Sequence, residues 1–460
     1  MRTTSKRSFA ALALVVVMVA GMVFLGVRLA LNGEQWATLR ANRHLTGNGS
    51  FIGAGNVCDR NGEILSQTVD GKRVYNDSEN LRRATLHIVG DSEGYIASGV
   101  QTAYKKELIG YNFASGIFPL VKYARGNDVA LTVDASVSTA ALKALGSSKG
   151  VVAVCNYKTG ELLCAVSSPN YDIRNKPSAE KLEKDPDYTG VYINRFIDGL
   201  YTPGSVFKTV TTVCAIQNMT DYSSFEYECT GETVINGVKV TCPRAHGKLD
   251  FDSAFAQSCN CAYAHLAEKL GGTALTSTAQ KLGFGKSFDF GNTETAPSRI
   301  NLTGASSSDI AWAGVGQYTT LVNPYHMLTM VCAIANGGTA KLPYAVASVS
   351  SPSGRVISTT VPGEEVLLDA GTALTVKNMM RNNVRSNYGD GNFDGLSVCG
   401  KTGTAEVGDG KKPHSWFIGF SADESCPLAV VVIVENGGWG SSVALPIAAK
   451  TLAEAKKCCY

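Results

Sequence analysis

An unbroken apolar segment near the N-terminus constrains this chain more than any other feature of its sequence. Phe9 to Val27 (FAALALVVVMVAGMVFLGV) is a run of 19 uncharged residues. As a helix rising about 1.5 Å per residue, it nearly spans the roughly 30 Å hydrocarbon core of a bilayer. The run is longer than a usual signal-peptide core, and no clear A-x-A cleavage site follows it. We therefore predict a transmembrane anchor over residues 9–31 rather than a cleaved signal.

Basic residues before the apolar segment set the expected orientation. Arg2, Lys6 and Arg7 precede it. Cytoplasmic flanks of membrane spans carry an excess of Lys and Arg. The sequence therefore predicts a cytoplasmic tail over residues 1–8, a single pass through the cell membrane, and an extracytoplasmic remainder.

The overall composition excludes two broad classes of protein. Basic and acidic residues nearly cancel, 42 against 39, for a net charge of +3, which argues against a nucleic-acid partner. A hydrophobic content of 44% and a charged content of 18% are ordinary for a globular chain and exclude disorder. The 48 glycines indicate many tight turns, which favours a loop-rich α+β domain over a helical bundle.

The 13 cysteines include no C-x-x-C pair, so the sequence predicts neither a metal site nor a cofactor. Cys229 and Cys242 bracket a turn-rich stretch that a disulfide could close, and the sequence leaves this open. Cys155 and Cys164 flank a predicted hairpin turn and are expected to lie directly opposite each other. Free thiols are favoured for this second pair, because cross-strand geometry often strains a disulfide.

Element patterns divide the chain after the anchor into two predicted domains. Residues 32–147 show no catalytic constellation and end in an Asp-capped helix from Asp134 to Leu145. The polar break GSSKG follows and marks the boundary. Residues 148–460 read as the second domain, in which strands near both ends of the segment surround central helices. This pattern predicts an antiparallel sheet with helices against it, an α+β fold. The predicted elements are strands in VVAVCNYKTGELLCAVS, HSWFIGF and LAVVVIV, a helix in VFKTVTTVCAI, and a closing helix from Val443 to Lys456.

The first of three ordered motifs is Ser205-Val206-Phe207-Lys208, which follows a Pro-Gly pair. A serine hydroxyl is a weak nucleophile unless a base is held against it. Three residues make nearly one helical turn, so the Ser205 hydroxyl and the Lys208 amine face the same side. Lysine can act as this base if burial or a neighbouring cation lowers its pKa. The S-x-x-K spacing alone is weak evidence for a catalytic serine, because it occurs by chance in most long chains.

The other two motifs raise the specificity of the pattern. Ser258-Cys259-Asn260 offers a hydroxyl that can relay a proton and an amide that can hold a substrate backbone. Cys259 is expected to be a small buried residue without a chemical role. Lys401-Thr402-Gly403-Thr404 reads as a strand whose cation and hydroxyls can pair with a substrate carboxylate. There, Gly403 is expected to leave room for a substrate lying alongside as an extra strand.

S-x-x-K, S-x-N and K-T-G in this order resemble the signature of penicillin-binding proteins and class A β-lactamases. The chain is similar to class B penicillin-binding proteins, monofunctional D,D-transpeptidases, over nearly all of its length. YTPGSVFK, SCNCAYAHLA and KTGTAE with WFIGF resemble the active-site segments of that family. CDRNGEILSQT and the segment after it look like the non-catalytic pedestal. The resemblance therefore implies a transpeptidase domain that follows a pedestal over residues 32–147.

The resemblance also implies a mechanism, partners and a set of site residues. Ser205 would attack the penultimate D-alanine of a peptidoglycan stem peptide, and an amine of a neighbouring stem peptide would resolve the acyl-enzyme. β-Lactams would block Ser205, and a membrane glycosyltransferase is a candidate partner. The implied residues are Ser205, Lys208, Ser258 and Lys401 as catalytic groups, and Asn260, Thr402, Gly403 and Thr404 as substrate-binding groups.

Three alternatives remain open at this point. A serine β-lactamase needs a base for rapid deacylation, but Glu268 lacks the Glu-x-x-x-Asn context that class A enzymes carry. A β-lactam sensor that only binds is compatible with the motifs. A carboxypeptidase would use water in place of the acceptor amine. His246 lies in a predicted turn and is expected to be structural.

Overall fold

The computed structural model describes residues 2–37, 53–110 and 125–459. Its first element is a 36-residue helix, Arg2–Ala37. Ser5–Gly33 within it contains an 18-residue window with a mean hydropathy of 2.8, and none of that window is buried against the rest of the protein. An exposed apolar helix of this length is stable in a bilayer and costly in water. The predicted anchor, residues 9–31, lies within this helix.

A five-stranded antiparallel sheet forms the centre of the second domain, as the sequence predicts. The strand order is Val398–Ala405, His414–Ser421, Leu428–Val434, Gly150–Asn156 and Leu162–Ser168. The interior strands Leu428–Val434 and Gly150–Asn156 consist largely of apolar residues because both of their faces are buried. Val151 and Ala153 pack on one side of the sheet, while Val152 and Val154 pack on the other. The strand Val398–Ala405 is left at an edge of the sheet.

Helices cover both faces of this sheet. One face carries Ala135–Leu145 and Ala444–Cys459, and the other carries Lys208–Asn218, Asn260–Lys281, Pro324–Ala335 and Ala370–Asn383. The Asp134 carboxylate caps the first of these helices by accepting hydrogen bonds from two backbone N–H groups, which confirms the predicted Asp cap. The closing helix also lies where the sequence places it.

A second, six-stranded sheet combines four strands from the N-terminal part of the chain with two strands from later in the sequence. Its strand order is Val356–Thr359, Val346–Ser350, Asp128–Leu131, Val57–Cys58, Ile64–Val69 and Lys72–Tyr75. Two of these strands come from the far side of the predicted boundary at residue 147, while the helix Ala135–Leu145 packs on the five-stranded sheet. The predicted boundary therefore does not coincide with a break in packing. Residues 38–52 and 111–124 of the predicted pedestal lie outside the described residues.

Short elements complete the described chain. The further strands are Glu226–Cys229, Glu232–Ile235, Val238–Thr241, Gly247–Asp250, Thr339–Lys341 and Glu364–Val366. The further α-helices are Glu79–Ala84, Leu86–Val89, Val100–Ala103, Lys105–Ile109, Ala179–Lys184, Arg195–Asp198, Phe251–Ala256 and Ser307–Gly314. Single turns of other helix types are Pro186–Tyr188, Gly204–Phe207, Tyr222–Ser224, Val384–Tyr388 and Asp390–Phe393.

The cysteines of the first hairpin are not arranged as the sequence suggests. A register shift after Val154 pairs Cys155 with Leu162 and leaves Cys164 opposite Val154. A β-bulge inserts one residue into one strand only, so positions at equal distance from the turn no longer face each other. Both cysteines are free thiols, as expected, but the expectation that they lie opposite each other is wrong.

Candidate active site

Ser205 lies in a tight 3₁₀ turn, Gly204–Phe207, that runs directly into the helix Lys208–Asn218. The Lys208 N–H donates to the Ser205 carbonyl. Because a 3₁₀ turn has three residues per turn, side chains three apart lie on the same side. The predicted helix therefore begins with a tighter turn, and this turn aligns Ser205 with Lys208 more closely than an α-helix would.

Gly204 packs this turn against the edge strand of the sheet. Its φ of +54° is in the left-handed region. A Cβ there would lie 2.4 Å from the Thr404 carbonyl oxygen, so only glycine permits this approach. The Gly204 N–H donates to the Gly316 carbonyl at 2.9 Å, which ties the turn to a third segment. The serine is consequently held beside Thr404.

Two buried lysines converge on the hydroxyl of Ser258. Lys401 Nζ donates to Ser258 Oγ at 2.8 Å, and Lys208 Nζ lies 3.3 Å from the same oxygen. The remaining hydrogen bonds of Lys208 Nζ go to the Ser258 carbonyl at 2.6 Å and to Asn260 Oδ1 at 2.8 Å. The structure thus brings together residues that lie nearly 200 positions apart in sequence.

The surroundings of the two ammonium groups favour their neutral forms. Both lysines have an exposed fraction of 0%. Burial lowers the pKa of Lys208 to about 8. Burial, and then the positive charge of Lys208, lower the pKa of Lys401 well below its ordinary value. Because the acceptors of their hydrogen bonds are neutral oxygens, proton loss from one lysine removes a like-charge repulsion without breaking an ion pair. A lysine base near neutral pH is therefore physically reasonable.

Asn260 connects the second motif to a neighbouring strand. It accepts from Lys208 Nζ and donates through Nδ2 to the Thr241 carbonyl at 2.9 Å. Ser258, two residues earlier, has a φ of +51°, which is unusual for a non-glycine residue. The segment is therefore held in a conformation that its own backbone does not favour, and contacts on either side must maintain it.

Thr402 and Thr404 share one face of the edge strand and are both half-buried. The Tyr388 hydroxyl lies 2.8 Å from Thr402 Oγ1, and Thr404 Oγ1 accepts from the Gly440 N–H at 3.2 Å. Tyr388 ends a π-helical turn, Val384–Tyr388, a type that is frequent at functional sites. Tyr388 could not be predicted as a site residue, because nothing in its local sequence distinguishes it from a loop tyrosine.

The structural reason for Gly403 differs from the one expected. A Cβ at Gly403 would point at the protein itself, 2.9 Å from the Pro203 carbonyl and 3.0 Å from Val206 Cγ1. The missing side chain therefore allows the strand to pack on the turn Gly204–Phe207, and protein fills the space on the Cβ side of Gly403. The backbone of Gly403 still lies in the edge strand next to the two threonines.

The described cysteines between the first and second motifs form no disulfide. Cys229 and Cys242 are free thiols, so the optional disulfide is absent. His246 follows the predicted turn, and its ring contacts Cys229. Glu268 lies on the helix Asn260–Lys281, where its carboxylate is 3.7 Å from His265 Nδ1 and partly exposed. Glu268 is therefore directed to the protein surface.

Comparisons with known proteins agree with the motifs and the geometry. Residues 150–453 match the model of the penicillin-binding protein transpeptidase domain. A similar curated protein is the peptidoglycan D,D-transpeptidase PbpA of Mycolicibacterium smegmatis, 29% identical, with 86% of this chain and 87% of the relative covered.

Solved structures show the same likeness. Penicillin-binding protein A of M. tuberculosis, solved as a ceftriaxone acyl-enzyme complex, superposes with a TM-score of 0.77 at 25% identity, covering 87% of this chain and 98% of the other. A D,D-transpeptidase domain from Eggerthella lenta gives a TM-score of 0.77 at 27% identity, covering 88% and 98%.

Proposed function

This chain belongs to the penicillin-binding protein transpeptidase family, as a class B member, and on that premise we propose that it cross-links peptidoglycan through an acyl-enzyme on Ser205. It is a D,D-transpeptidase with serine-type chemistry, and β-lactams inhibit it covalently. The observation that carries the residue assignment is the convergence of Lys208 and Lys401 on Ser258 Oγ. This cluster lies beside the turn that presents Ser205.

The first half-reaction forms an ester and releases an amine. Ser205 Oγ bonds to the carbonyl carbon of the penultimate D-alanine while Lys208 takes the hydroxyl proton. The bond to the terminal D-alanine nitrogen then breaks, and Ser258 with Lys401 delivers a proton to that nitrogen. The 2.8 Å contact between Lys401 Nζ and Ser258 Oγ supports this relay.

Groups around the serine stabilise and orient the reacting peptide. The backbone N–H groups of Ser205 and Thr404 serve as the oxyanion hole, an assignment supported by the close packing of Gly204 on Thr404. The Thr402 and Thr404 hydroxyls hold the terminal carboxylate on their shared face of the edge strand. Asn260 holds the substrate amide, and the backbone of Gly403 continues the strand that the peptide lies along.

The second half-reaction returns the enzyme to its starting state. An amine from a neighbouring stem peptide attacks the ester carbonyl, and its proton passes to Ser258 and Lys401. The amide cross-link forms as the ester bond breaks, and Lys208 returns the proton to Ser205 Oγ. A β-lactam enters the first half-reaction as a mimic of D-Ala-D-Ala. Its leaving group stays tethered to the acyl group, so the acceptor amine is excluded and the ester persists.

Reaction products distinguish this function from its alternatives. The full-length chain in detergent is incubated with a stem peptide ending in D-Ala-D-Ala and an acceptor amine, and products are followed by mass spectrometry. We expect release of one D-alanine for each acceptor joined, and neither event in the Ser205→Ala variant. Hydrolysed peptide without the joined product would indicate a carboxypeptidase. Rapid hydrolysis of penicillin would indicate a β-lactamase, and a stable penicillin adduct without peptide turnover would indicate a sensor.

The apolar N-terminal helix indicates a single-pass membrane anchor, and we propose that the catalytic domain after it is extracytoplasmic. Cys458 tests the orientation because its thiol is exposed on the closing helix. A membrane-impermeant maleimide should label Cys458 on intact protoplasts, and Cys458→Ser should lose that signal. Labelling of Cys458 only after lysis would contradict both the orientation and the cell-wall function.

A membrane glycosyltransferase is the partner that we propose for this enzyme, because cross-linking requires glycan strands made by another activity. Crosslinking in the membrane with a photoreactive group on the pedestal should capture the glycosyltransferase. Its absence among the crosslinked products would contradict this partnership.

We also propose residues 32–147 as the pedestal and residues 148–460 as the transpeptidase domain. The family match over residues 150–453 supports this division.

A further inference from the structure

Four potential metal ligands lie together next to the second catalytic motif. Their ligand atoms all lie within 4.8 Å of one another. They come from three separate segments, the last of which is the second motif itself, with the spacing C-x₁₂-C-x₃-H-x₁₂-C. The four residues are Cys229, Cys242, His246 and Cys259.

Two separations within this cluster are close to those of a tetrahedral site. Cys229 Sγ lies 3.4 Å from His246 Nδ1, and Cys242 Sγ lies 3.7 Å from Cys259 Sγ. With Zn–S bonds of about 2.3 Å and Zn–N bonds of about 2.0 Å, neighbouring ligands of a tetrahedral zinc lie roughly 3.5–3.8 Å apart. Side-chain rotation over about 1 Å suffices to bring the longest separations into this range.

Backbone pairing holds the ligand-bearing segments in place. The strands Glu226–Cys229 and Gly247–Asp250 pair antiparallel, and the His246 N–H donates to the Cys229 carbonyl at 3.1 Å. The Cys242 N–H donates to the Gly231 carbonyl at 2.8 Å, which closes the base of the Glu232–Thr241 hairpin. This hydrogen bond brings Cys242 back near the segment that carries Cys229. The cluster is therefore built by local folding and does not depend on flexible side chains meeting by chance.

Two sulfurs receive hydrogen bonds from the N-terminus of a helix. Cys259 caps the helix that begins at Asn260, whose helical geometry is interrupted at Gly271, and Cys259 Sγ accepts from the Ala262 N–H at 3.4 Å. Cys242 Sγ accepts from the Cys261 N–H, also at 3.4 Å. Helix N-termini stabilise thiolates, and the thiolate is the form that binds metal. Cys261 itself lies beside Cys242 and donates to the Val240 carbonyl.

We propose that Cys229, Cys242, His246 and Cys259 bind one Zn²⁺, and that this ion holds the second catalytic motif in place. Three thiolates and one imidazole form a Cys₃His set, which is typical of closed structural zinc sites. Four protein ligands fill the tetrahedron, so the ion takes no direct part in acyl transfer. The sequence-based expectation of no metal site rested on the missing C-x-x-C pair.

The position of Cys259 links the ion to catalysis, and this part of the proposal rests on the proposed function. Cys259 stands between Ser258, with its left-handed backbone, and Asn260. Asn260 in turn donates to the carbonyl of Thr241, the residue before Cys242. A metal bonded to Cys242 and Cys259 therefore fixes the backbone next to Ser258, whose hydroxyl the two lysines contact. It also fixes the strand end to which Asn260 donates.

Metal content of the full-length chain in detergent tests the binding site without reference to activity. Protein made with added zinc and purified without chelator should contain about one zinc per chain by elemental analysis. Cys229→Ser and His246→Ala should lose it, whereas Cys458→Ser, which removes an exposed thiol outside the cluster, should keep it. Because ligand variants can unfold, wild-type protein exchanged into Co²⁺ should also show thiolate-to-cobalt absorption. Wild type at background zinc, or a mapped disulfide joining Cys242 to Cys259 or Cys261, would overturn the site.

Penicillin labelling of the same samples tests the positioning role. Removing zinc with a chelator should slow fluorescent-penicillin labelling at least about tenfold, and added zinc should restore it. Unchanged labelling of zinc-free protein would overturn the positioning role. If zinc-loaded wild type is not labelled at all, the transpeptidase assignment fails instead, so the two failures are distinguishable.

Discussion

Lys208→Arg is expected to slow acylation by penicillin by a factor on the order of 10² or more, the usual cost of losing a general base. Arginine keeps the positive charge but does not give up its proton near neutral pH. Lys208 has a pKa lowered to about 8 by burial, so a useful fraction is neutral in the wild type. The rate of fluorescent-penicillin labelling measures the effect.

Two companion variants of Lys208→Arg separate chemistry from folding. Lys208→Met keeps the length of the buried side chain without its charge, and it should be as slow because it also cannot accept a proton. Lys269→Arg makes the same exchange at a half-exposed position on the helix Asn260–Lys281 and should label at the wild-type rate. Thermal melts of all three establish that they are folded. Near-wild-type labelling of a folded Lys208→Arg protein would mean that another group takes the proton.

The central sheet could be predicted because its strands carry strong and local signals. LAVVVIV and VVAVC are too apolar for any position except one buried on both faces, and the structure buries them in that way. The Asp134 cap and the closing helix follow from equally local rules. Pairing between distant segments was harder to predict, because it leaves few signals in the local sequence. The bulge that offsets Cys155 from Cys164, and the strands at 346–359 that join the N-terminal sheet, depend on contacts between distant segments.

Motif order proposes the candidate catalytic residues, but their surroundings could not be predicted from the sequence. Ser205, Lys208, Ser258 and Lys401 each belong to a short recognisable motif, and the structure places the two lysines on Ser258. The contact of Tyr388 with Thr402 arises from a π-helical turn that has no sequence signature. The same limit applies to the four-ligand cluster, since its members are joined by hairpin geometry rather than by a compact spacing.

Penicillin is expected to form a stable covalent adduct on Ser205, and Ser205→Ala is expected to abolish it. Ser205 combines a lysine one turn away, a preceding glycine that seats its turn on the edge strand, and the N-terminal end of a helix. An alanine there leaves the turn and its backbone contacts intact but removes the only atom that forms the ester. The loss should therefore be complete, while the thermal melt stays near that of the wild type.

Intact-mass analysis of the full-length chain with and without penicillin, followed by mapping of the modified peptide, tests whether Ser205 is the nucleophile. We expect one added drug mass per chain, located on the peptide that contains Ser205 and absent from Ser205→Ala. A drug mass on Cys259 or another residue, a folded Ser205→Ala protein that is still modified, or rapid loss of the adduct by hydrolysis would contradict it.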